Sequence, residues 1–295
     1  MVIGQNKGDL LFNAVNSVLL AVITIVVLYP LIFVVSASFS NPMLILQGKV
    51  WLWPQGFNVE AYRRVFQNAD IMMGYRNTLW YTLIGTAVNV VMTVAGAYPL
   101  SRKDFRGRNV LTAIFTFTMF FSGGLIPTYL VIKSLGLVDN FWVMIIPNAV
   151  SVWNLIIMRS FFQNSIPQEL HEAAFSDGCS NVGTLVRIIL PLSMPVLAVT
   201  TLFYGVSHWN AFFNALIYLS DHNKYPLQLI LREILIANQM QNMMDGSSES
   251  MAEQMMMAES LKYAVIIVAS VPMLMVYPFI QRYFVSGVML GAIKG

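Results

Sequence analysis

The residues that come nearest to a chemical site are a histidine and a glutamate in the middle of the chain. The run His171-Glu172-Ala173-Ala174-Phe175 begins as the H-E-x-x-H pattern does, in which two histidines one helical turn apart hold zinc and the glutamate acts as the base. Phe175 replaces the second histidine, and His208 and His222 lie far along the chain. The sequence therefore predicts no metal site and no metalloprotease.

The sequence also lacks the phosphate-binding loop that nucleotide hydrolysis would need. No G-x-x-x-x-G-K-[ST] segment occurs in the 295 residues, and such a loop is what cradles the phosphates in P-loop enzymes. No catalytic pair occurs in the apolar segments, so an intramembrane enzyme is not indicated either. We expect a protein that is not an enzyme and that binds no cofactor itself.

Polar and aromatic side chains within the apolar segments form a different kind of candidate site. Polar groups at membrane depth usually face protein or water rather than lipid. Because an aromatic ring can stack on a sugar while an amide bonds its hydroxyls, these residues are candidates for a substrate pathway. The other interpretation is hydrogen bonding between helices. The residues are Tyr204, His208, Trp209, Asn210, Asn214, Asn89 and Asn148.

Composition places these residues in a membrane protein. Hydrophobic residues make up 57% of the chain and charged residues 11%, against the ~25% charged content of soluble domains. Six stretches lack Asp, Glu, Lys and Arg, and each holds the ~18 largely apolar residues that a membrane-crossing helix needs. The stretches are 10–48, 77–101, 109–132, 140–158, 188–220 and 263–281. We therefore predict an all-α integral membrane protein with six transmembrane helices.

Other sequence features exclude further classes. The first apolar stretch is much longer than the ~7 to 15 apolar residues of a signal peptide, so we expect a retained helix. The lone Cys179 rules out an internal disulfide, and a net charge of +3 gives no reason to expect nucleic acid. An ion-gradient-driven secondary transporter of a polar solute is the alternative function, but it needs ionisable groups within the spans, where only His208 occurs.

The orientation follows from the short loop between the second and third spans. Residues 102–108 carry four cations in seven positions, and the positive-inside rule puts such a loop in the cytoplasm. Six spans then place both termini and residues 159–187 on the same side. The segment 221–262 is expected outside, and its Met-rich part, 238–257, is either a docking loop or two helical extensions joined by a Gly-Ser turn.

The long polar interruption before the fifth span predicts two short helices and a bend. Pro167 suits a first turn, so the first helix is expected from Pro167 to Ser176. Gly178 can adopt the left-handed conformation that ends a helix. A second helix is expected from Ser180 or Asn181 to Leu190. Leu170, Ala173 and Ala174 would give the first helix a small-residue face that another protein can approach, with Glu169 and Glu172 as anionic contacts.

This interruption resembles the cytoplasmic EAA loop of ABC-importer permeases. The resemblance rests on Glu172-Ala173-Ala174, on Gly178 and on the Ile188-x-Leu190-Pro191 ending. The runs Phe120 to Tyr129 and Gln281 to Gly295 are similar to permeases of complex, often acidic, oligosaccharides such as alginate or pectin fragments. The chain looks like the second permease subunit of carbohydrate importers, the counterpart of the smaller maltose permease.

The resemblance implies a type I permease fold in a bacterial inner membrane and several partners. These are a second, similar permease in a heterodimer, two subunits that bind ATP and Mg, and an extracytoplasmic protein that delivers oligosaccharide. Because the partner permease in related importers often holds most of the sugar site, hydrogen bonding between helices is the favoured role of the polar residues above.

The resemblance also divides the chain into functional parts. It implies one permease domain over 1–295 with its core at 76–282, a coupling loop at 160–193, an external loop at 220–260 and a cytoplasmic tail at 283–295. The implied ATPase-coupling residues are Glu169, Glu172, Ala173, Ala174, Asp177, Gly178, Ile188, Leu190 and Pro191. In the tail they are Gly287, Gly291 and Lys294, expected to reach between the ATPase subunits.

Overall fold

The computed structural model describes residues 7–243 and 261–276, together with residues 278 and 281. Within those ranges the regular structure is helical and no strand occurs. The described residues form two compact units. One unit comprises 7–69, 231–243 and 261–271, and the other comprises 70–230 and 272–276.

The first unit is built on one long apolar helix. Helix α1, Lys7–Ser38, is followed by α2, Pro42–Leu46, and by α3, Glu60–Gln67. Ala37, Ile45 and Val50 form a small buried cluster at the end of α1, and Phe33, Leu44 and Tyr263 pack against it. Over its most apolar window α1 is 0% buried, as a helix in contact with lipid would be.

The second unit contains most of the remaining helices. Helix α4 is the longest of them, with 33 residues. The helices are α4, Ala69–Ser101; α5, Arg108–Phe120; α6, Leu125–Ser134; α7, Val152–Ser165; α8, Gln168–Ser176; α9, Asn181–Leu192; α10, Met194–Trp209; and α11, Phe213–Tyr218. Two more, α12, Leu227–Met243, and α13, Leu261–Val276, each contribute residues to both units.

The six predicted spans all coincide with helical segments, but three of them are not straight. Gly8–Ser38 and Ala69–Ser101 are single helices long and apolar enough to cross a membrane. The third, fourth and fifth spans are bent by 116°, 50° and 85° at short breaks. The sixth is described over the 16 residues of α13.

Each bend has a local backbone cause. The α5–α6 bend follows Gly123 and lies at Gly124, whose φ of 84° and ψ of 177° suit a residue without a Cβ. The fourth span is broken by two short 3-10 turns that end at Asn148, before Ser151 caps α7. The fifth bends at Ser193, which lies between two prolines. Charge-free composition could not reveal these breaks.

Two clusters of buried side chains hold the second unit together. One joins α4 to α7, α9 and α10 and comprises Val94, Ala97, Tyr98, Met158, Phe162, Ile166, Ile189 and Val196. The other lies toward the opposite end of α4 and comprises Tyr81, Ile132, Val143, Met144, Ala215, Tyr218, Leu219 and Leu229. Because both clusters include α4, this helix is the common support of the sites described next.

Candidate functional site

The predicted coupling segment folds as two short helices joined by a left-handed glycine. Helix α8 begins at Gln168, directly after Pro167, and ends at Ser176. Gly178 has φ +76°; its N–H donates to the Phe175 carbonyl at 3.0 Å, and the Cys179 N–H donates to the Ala174 carbonyl at 2.9 Å. These two bonds form a Schellman motif. The predicted helix and the conformation of Gly178 are confirmed.

The second short helix continues further than predicted. Ser180 caps α9, since its Oγ accepts from the Gly183 N–H at 3.1 Å. The helix widens to a π-helix over Leu185–Ile189 and runs on to Leu192, past the predicted end at Leu190. Pro191 has no N–H to donate, and the widened turn just before it is where the backbone adjusts.

The two short helices present a different face from the one predicted. Ala174 is only 4% exposed, and Leu170 packs against the buried cluster of α4, α7, α9 and α10. The predicted small-residue face is therefore wrong for Ala174, because that side of α8 closes the chain's own core, while Leu170 is half-buried. Ala173 is exposed, as are Glu169, Glu172, Asp177, Gly178 and Pro191, while Ile188 and Leu190 are half-buried against the same cluster.

Two exposed apolar side chains stand out on this surface, and neither was predicted. Phe175 is 78% exposed and Val182 is 71% exposed. Glu172 is anchored on the same helix, since Gln168 Nε2 donates to its Oε1 at 3.0 Å. The surface thus combines carboxylates with apolar side chains, which suits a protein partner better than solvent.

His171 ties α8 to the basic loop that follows α4. Arg102 Nη1 lies 3.1 Å from His171 Nδ1, and its other nitrogens bind both oxygens of Asp104 at 2.8 and 2.7 Å. Because Arg102 can only donate, Nδ1 must accept. Burial, with the Arg102 charge second, lowers the pKa of His171, and the bond to Arg102 lowers the pKa of Asp104. A cavity of about 490 Å³ lies beside this contact, lined by Lys103, Gln163, Phe175 and Asn181 among others.

A larger cavity, of about 620 Å³, brings together most of the predicted pathway residues. Tyr204, His208, Asn210, Asn214, Asn89 and Asn148 all line it. Trp209 does not: it is 3% exposed and packs edge-on against Tyr75 at 5.9 Å. The accessible aromatic ring in the cavity is instead that of Trp153, which lies at the start of α7 and is 58% exposed. Among the described residues that line the cavity there is no Asp, Glu, Lys or Arg.

Hydrogen bonds across helices fix the wall of this cavity. His208 Nε2 lies 2.9 Å from Asn89 Oδ1, and Asn89 Nδ2 donates to the Asn148 carbonyl at 2.6 Å. The Tyr204 hydroxyl accepts from the Ser151 N–H at 2.9 Å and lies 2.7 Å from the Thr93 hydroxyl. The favoured interpretation, hydrogen bonding between segments, is confirmed for Tyr204, His208 and Asn89. Asn210 also bonds between segments, since Gln228 Nε2 donates to its Oδ1 at 3.4 Å, and Asn214 lies on the wall at the start of α11.

A polar cluster at the other end of α4 was not predicted. Asp139, at φ 57°, accepts from the Ser220 and Asp221 N–H groups at 3.1 Å each. Lys224 Nζ lies 3.1 Å from Asp139 Oδ2 and donates to the Asp139 carbonyl at 2.7 Å. The Tyr81 hydroxyl donates to the Lys224 carbonyl at 2.9 Å. The two backbone N–H groups, then Lys224, lower the pKa of Asp139.

Comparison with known proteins decides the family. The model of the binding-protein-dependent transport system inner membrane component matches residues 3–289. The chain belongs to this family. Its relatives include the polygalacturonan/rhamnogalacturonan transport system permease protein YtcP of Bacillus subtilis, 43% identical over 288 residues, which are 97% of this chain and 99% of YtcP. Protein LplC of the same organism is 39% identical over 291 residues, 99% of this chain and 97% of LplC.

A solved structure confirms the fold of this permease. A chain in the crystal structure of a bacterial ABC transporter that imports the acidic polysaccharide alginate superposes with a TM-score of 0.86 at 34% identity. The match covers 96% of the permease and all of that chain. The protein is thus a multi-pass ABC permease, a transporter component, and the ion-gradient alternative loses its support. Its family works with a solute-binding protein and with ATPase subunits.

Some predicted residues lie outside the described part of the permease. Gly287, Gly291 and Lys294 of the predicted tail are among them. So is most of the Met-rich region, of which only the backbone up to Met243 is described. Their predicted roles stay predictions.

Proposed function

We propose that this permease carries an acidic oligosaccharide of the uronate class into the cell. Two relatives support the substrate class: YtcP is named for polygalacturonan and rhamnogalacturonan, and the superposed transporter imports alginate. These substrates share carboxylates and many hydroxyls on a chain of sugar rings. The observation that carries the proposal for this chain is the convergence of six polar residues on one cavity.

The chemistry of the cavity suits the hydroxyls of a sugar chain. Amide groups such as those of Asn148 and Asn214 donate and accept hydrogen bonds, and the exposed ring of Trp153 offers a stacking surface. Since the described lining of the cavity holds no Lys or Arg, the carboxylates of the substrate would be neutralised elsewhere, and a second, distinct permease is the proposed source. The pair would form a heterodimer around the pathway.

The proposed link to ATP hydrolysis is the exposed side of α8 and α9. The basic loop at 102–108 favours a cytoplasmic position for this surface and for both termini, because loops rich in Lys and Arg face inward. There Glu172, Phe175 and Val182 would contact one of two ATPase subunits, which bind ATP and Mg. ATP can drive transport only by stabilising one arrangement of the permease over the other. The binding protein delivers the substrate from outside.

The substrate proposal is tested with the whole transporter, purified with its partner subunits and binding protein and placed in liposomes. Uptake of oligogalacturonate or alginate oligosaccharide is compared with uptake of a neutral oligosaccharide of equal length. We expect uptake of at least one acidic substrate at least ten-fold above the neutral one, roughly 1.4 kcal/mol of discrimination. Preferential uptake of the neutral sugar would overturn the proposed class.

The coupling proposal is tested by changing Glu172→Lys and Gly178→Val in the same transporter. Reversal of the charge at an exposed contact, and a β-branched residue at φ +76°, should each weaken co-purification of the ATPase and substrate-stimulated hydrolysis. Glu60→Lys, an exposed change on helix α3 of the other unit, serves as the control. If both variants match this control, the assignment of α8 to coupling is wrong.

A further inference from the structure

A loop between α2 and α3 displays a group of aromatic side chains that stay largely exposed in the described chain. Trp51 is 66% exposed, Trp53 77% and Phe57 73%. Leu52, between the two tryptophans, is 47% exposed. Lys49 is the only charged residue between Ser38 and Glu60. We call residues 49–57 the aromatic loop.

Hydrogen bonds hold the aromatic loop against the end of α1. The Ser36 hydroxyl donates to the Leu52 carbonyl at 2.6 Å. The Asn41 N–H donates to the Gln55 carbonyl at 2.9 Å, and the Gln55 N–H donates to the Ser40 hydroxyl at 3.0 Å. These bonds hold the backbone of the aromatic loop beside the last turn of α1.

Stacking fixes the far end of the aromatic loop in the same way. Phe57 stacks on Phe39 with ring centroids 5.8 Å apart, and Phe39 also stacks on Tyr62 at 4.9 Å. The Tyr62 hydroxyl in turn donates to the Ser38 hydroxyl at 2.7 Å. Since these contacts use one face of Phe57, the other face stays open. The aromatic loop is thus held in place by its own unit, with its rings left outside.

The length of α1 sets the depth of this surface. The apolar part of α1, from Leu10 to Val35, would be about 39 Å long at 1.5 Å per residue, and the hydrocarbon core of a bilayer is about 30 Å thick. The last turn of α1 therefore falls near the boundary between acyl chains and headgroups. In the described chain α1 is 0% buried over its most apolar window, so its apolar side chains are open to lipid.

We infer that the aromatic loop is a membrane anchor whose rings lie among the lipid headgroups at the C-terminal end of α1. Tryptophan prefers this level of a bilayer, since its ring is apolar and its N–H can remain hydrated. The near absence of charge in the loop favours lipid over a water-exposed binding partner. Anchored there, the loop fixes how deeply α1 sits and how it is rotated.

The test places the photoreactive residue p-benzoylphenylalanine at position 53 or 57 of the full chain, expressed with its partner subunits in the native membrane. After irradiation, mass spectrometry of the chain distinguishes phospholipid adducts from crosslinks to protein. We expect lipid adducts at least five-fold more abundant at both positions than at position 63. Arg63 is the control because it lies in the same unit with 71% of its side chain exposed.

Two outcomes would overturn the inference. Crosslinks to the second permease or to the binding protein would make the aromatic loop a protein contact, and adduct levels equal to those at position 63 would place it in water. If a photoreactive variant fails to fold, a spin-label measurement replaces it. Trp53→Cys in a Cys179→Ser background carries a nitroxide, which should collide more often with oxygen than with a water-soluble nickel complex.

Discussion

At the scale of single residues, Gly85 determines how closely α4 can approach α10. A Cβ added there would lie 2.5 Å from His208 Nε2 and 2.6 Å from Cε1, well inside van der Waals contact. The imidazole is held by Asn89 and has no flexible end to move aside. Gly85 thus leaves the space that the His208 ring occupies beside the large cavity.

We expect Gly85→Ala to destabilise the permease by about 1–3 kcal/mol, the usual cost of overpacking. The measurement is the apparent unfolding temperature in detergent. Gly205→Ala is the matched control, because its added Cβ would meet only the Thr86 hydroxyl oxygen, at 3.8 Å. Equal shifts for the two variants would contradict the steric argument.

His171 predicts a pH dependence of the joint between α8 and the basic loop. Its pKa is lowered in the folded protein, so unfolding takes up a proton and stability falls as pH drops. The contribution is complete above the ordinary histidine pKa of about 6.5 and is lost progressively below it. We expect the amide protection factors of α8, which correct for the intrinsic pH dependence of exchange, to fall as pH drops from roughly 7 to 5.

The variant His171→Gln isolates this effect. A glutamine oxygen can still accept from Arg102 but does not titrate. Protection of α8 in His171→Gln should therefore stay constant over the same pH range, while His222→Gln, far from α8 in sequence, should behave as the parent does. A pH dependence that persists in His171→Gln would assign it to another group.

At the scale of elements, the bend between α5 and α6 depends on one glycine of a pair. Gly124 has φ 84° and ψ 177°, a region open in practice only to glycine, and a Cβ added there would meet nothing within 4 Å. Gly124→Ala should cost about 1–3 kcal/mol in stability through the backbone alone. Gly123→Ala, whose φ is not positive and whose Cβ would lie 3.6 Å from Pro127, should be nearly neutral in the same thermal assay.

Some features of the helices can be predicted from the sequence of this protein and others cannot. The span positions and the ends of α8 were predictable because charge avoidance, Pro167 and Gly178 act locally. The bends of 116° and 85° were not, since a charge-free run has the same composition whether straight or broken. The assignment of Ala174 to a docking face failed because helical periodicity does not say which side meets the chain's own core.

The residues of the candidate cavity were likewise predictable only in part. Polar residues in apolar runs signalled that Asn89, Tyr204 and His208 face protein, and they do. Trp153 and Trp209 could not be told apart by type. Their exposures, 58% and 3%, are set by neighbours distant in sequence, such as Tyr75.

At the scale of the whole molecule, the cluster around Asp139 closes the end of the second unit away from α8. Asp139 lies in a left-handed conformation that Asn tolerates better than Ala. We expect the apparent unfolding temperature to fall in the order parent, Asp139→Asn, Asp139→Ala, because Asn keeps an acceptor for the two N–H groups and loses only the charge facing Lys224.

The same cluster predicts that the protein loses stability as the pH falls into the acid range. A carboxyl with a lowered pKa stabilises the fold fully above its ordinary value of about 3.9, and the contribution is lost as pH falls through the folded-state pKa. Unfolding temperatures measured from about pH 6 to pH 3 should therefore drop less steeply for Asp139→Asn than for the parent. If the unfolding temperature fell equally steeply for both proteins, Asp139 would not contribute to the loss of stability in acid.

Helix α4 is one continuous helix that contacts all three sites, namely the Asp139 cluster, the large cavity and the surface of α8, at different levels along its length. Thr78 and Tyr81 bind the segment at 224–227, Asn89 binds the cavity wall, and Tyr98 lies 6.0 Å, ring to ring, from His171. For protein engineers this means that chimeras with related transporters should exchange α4 together with its contact segments. A crossover point inside α4 would pair surfaces that were selected separately, and the hybrid would misfit at one level or another.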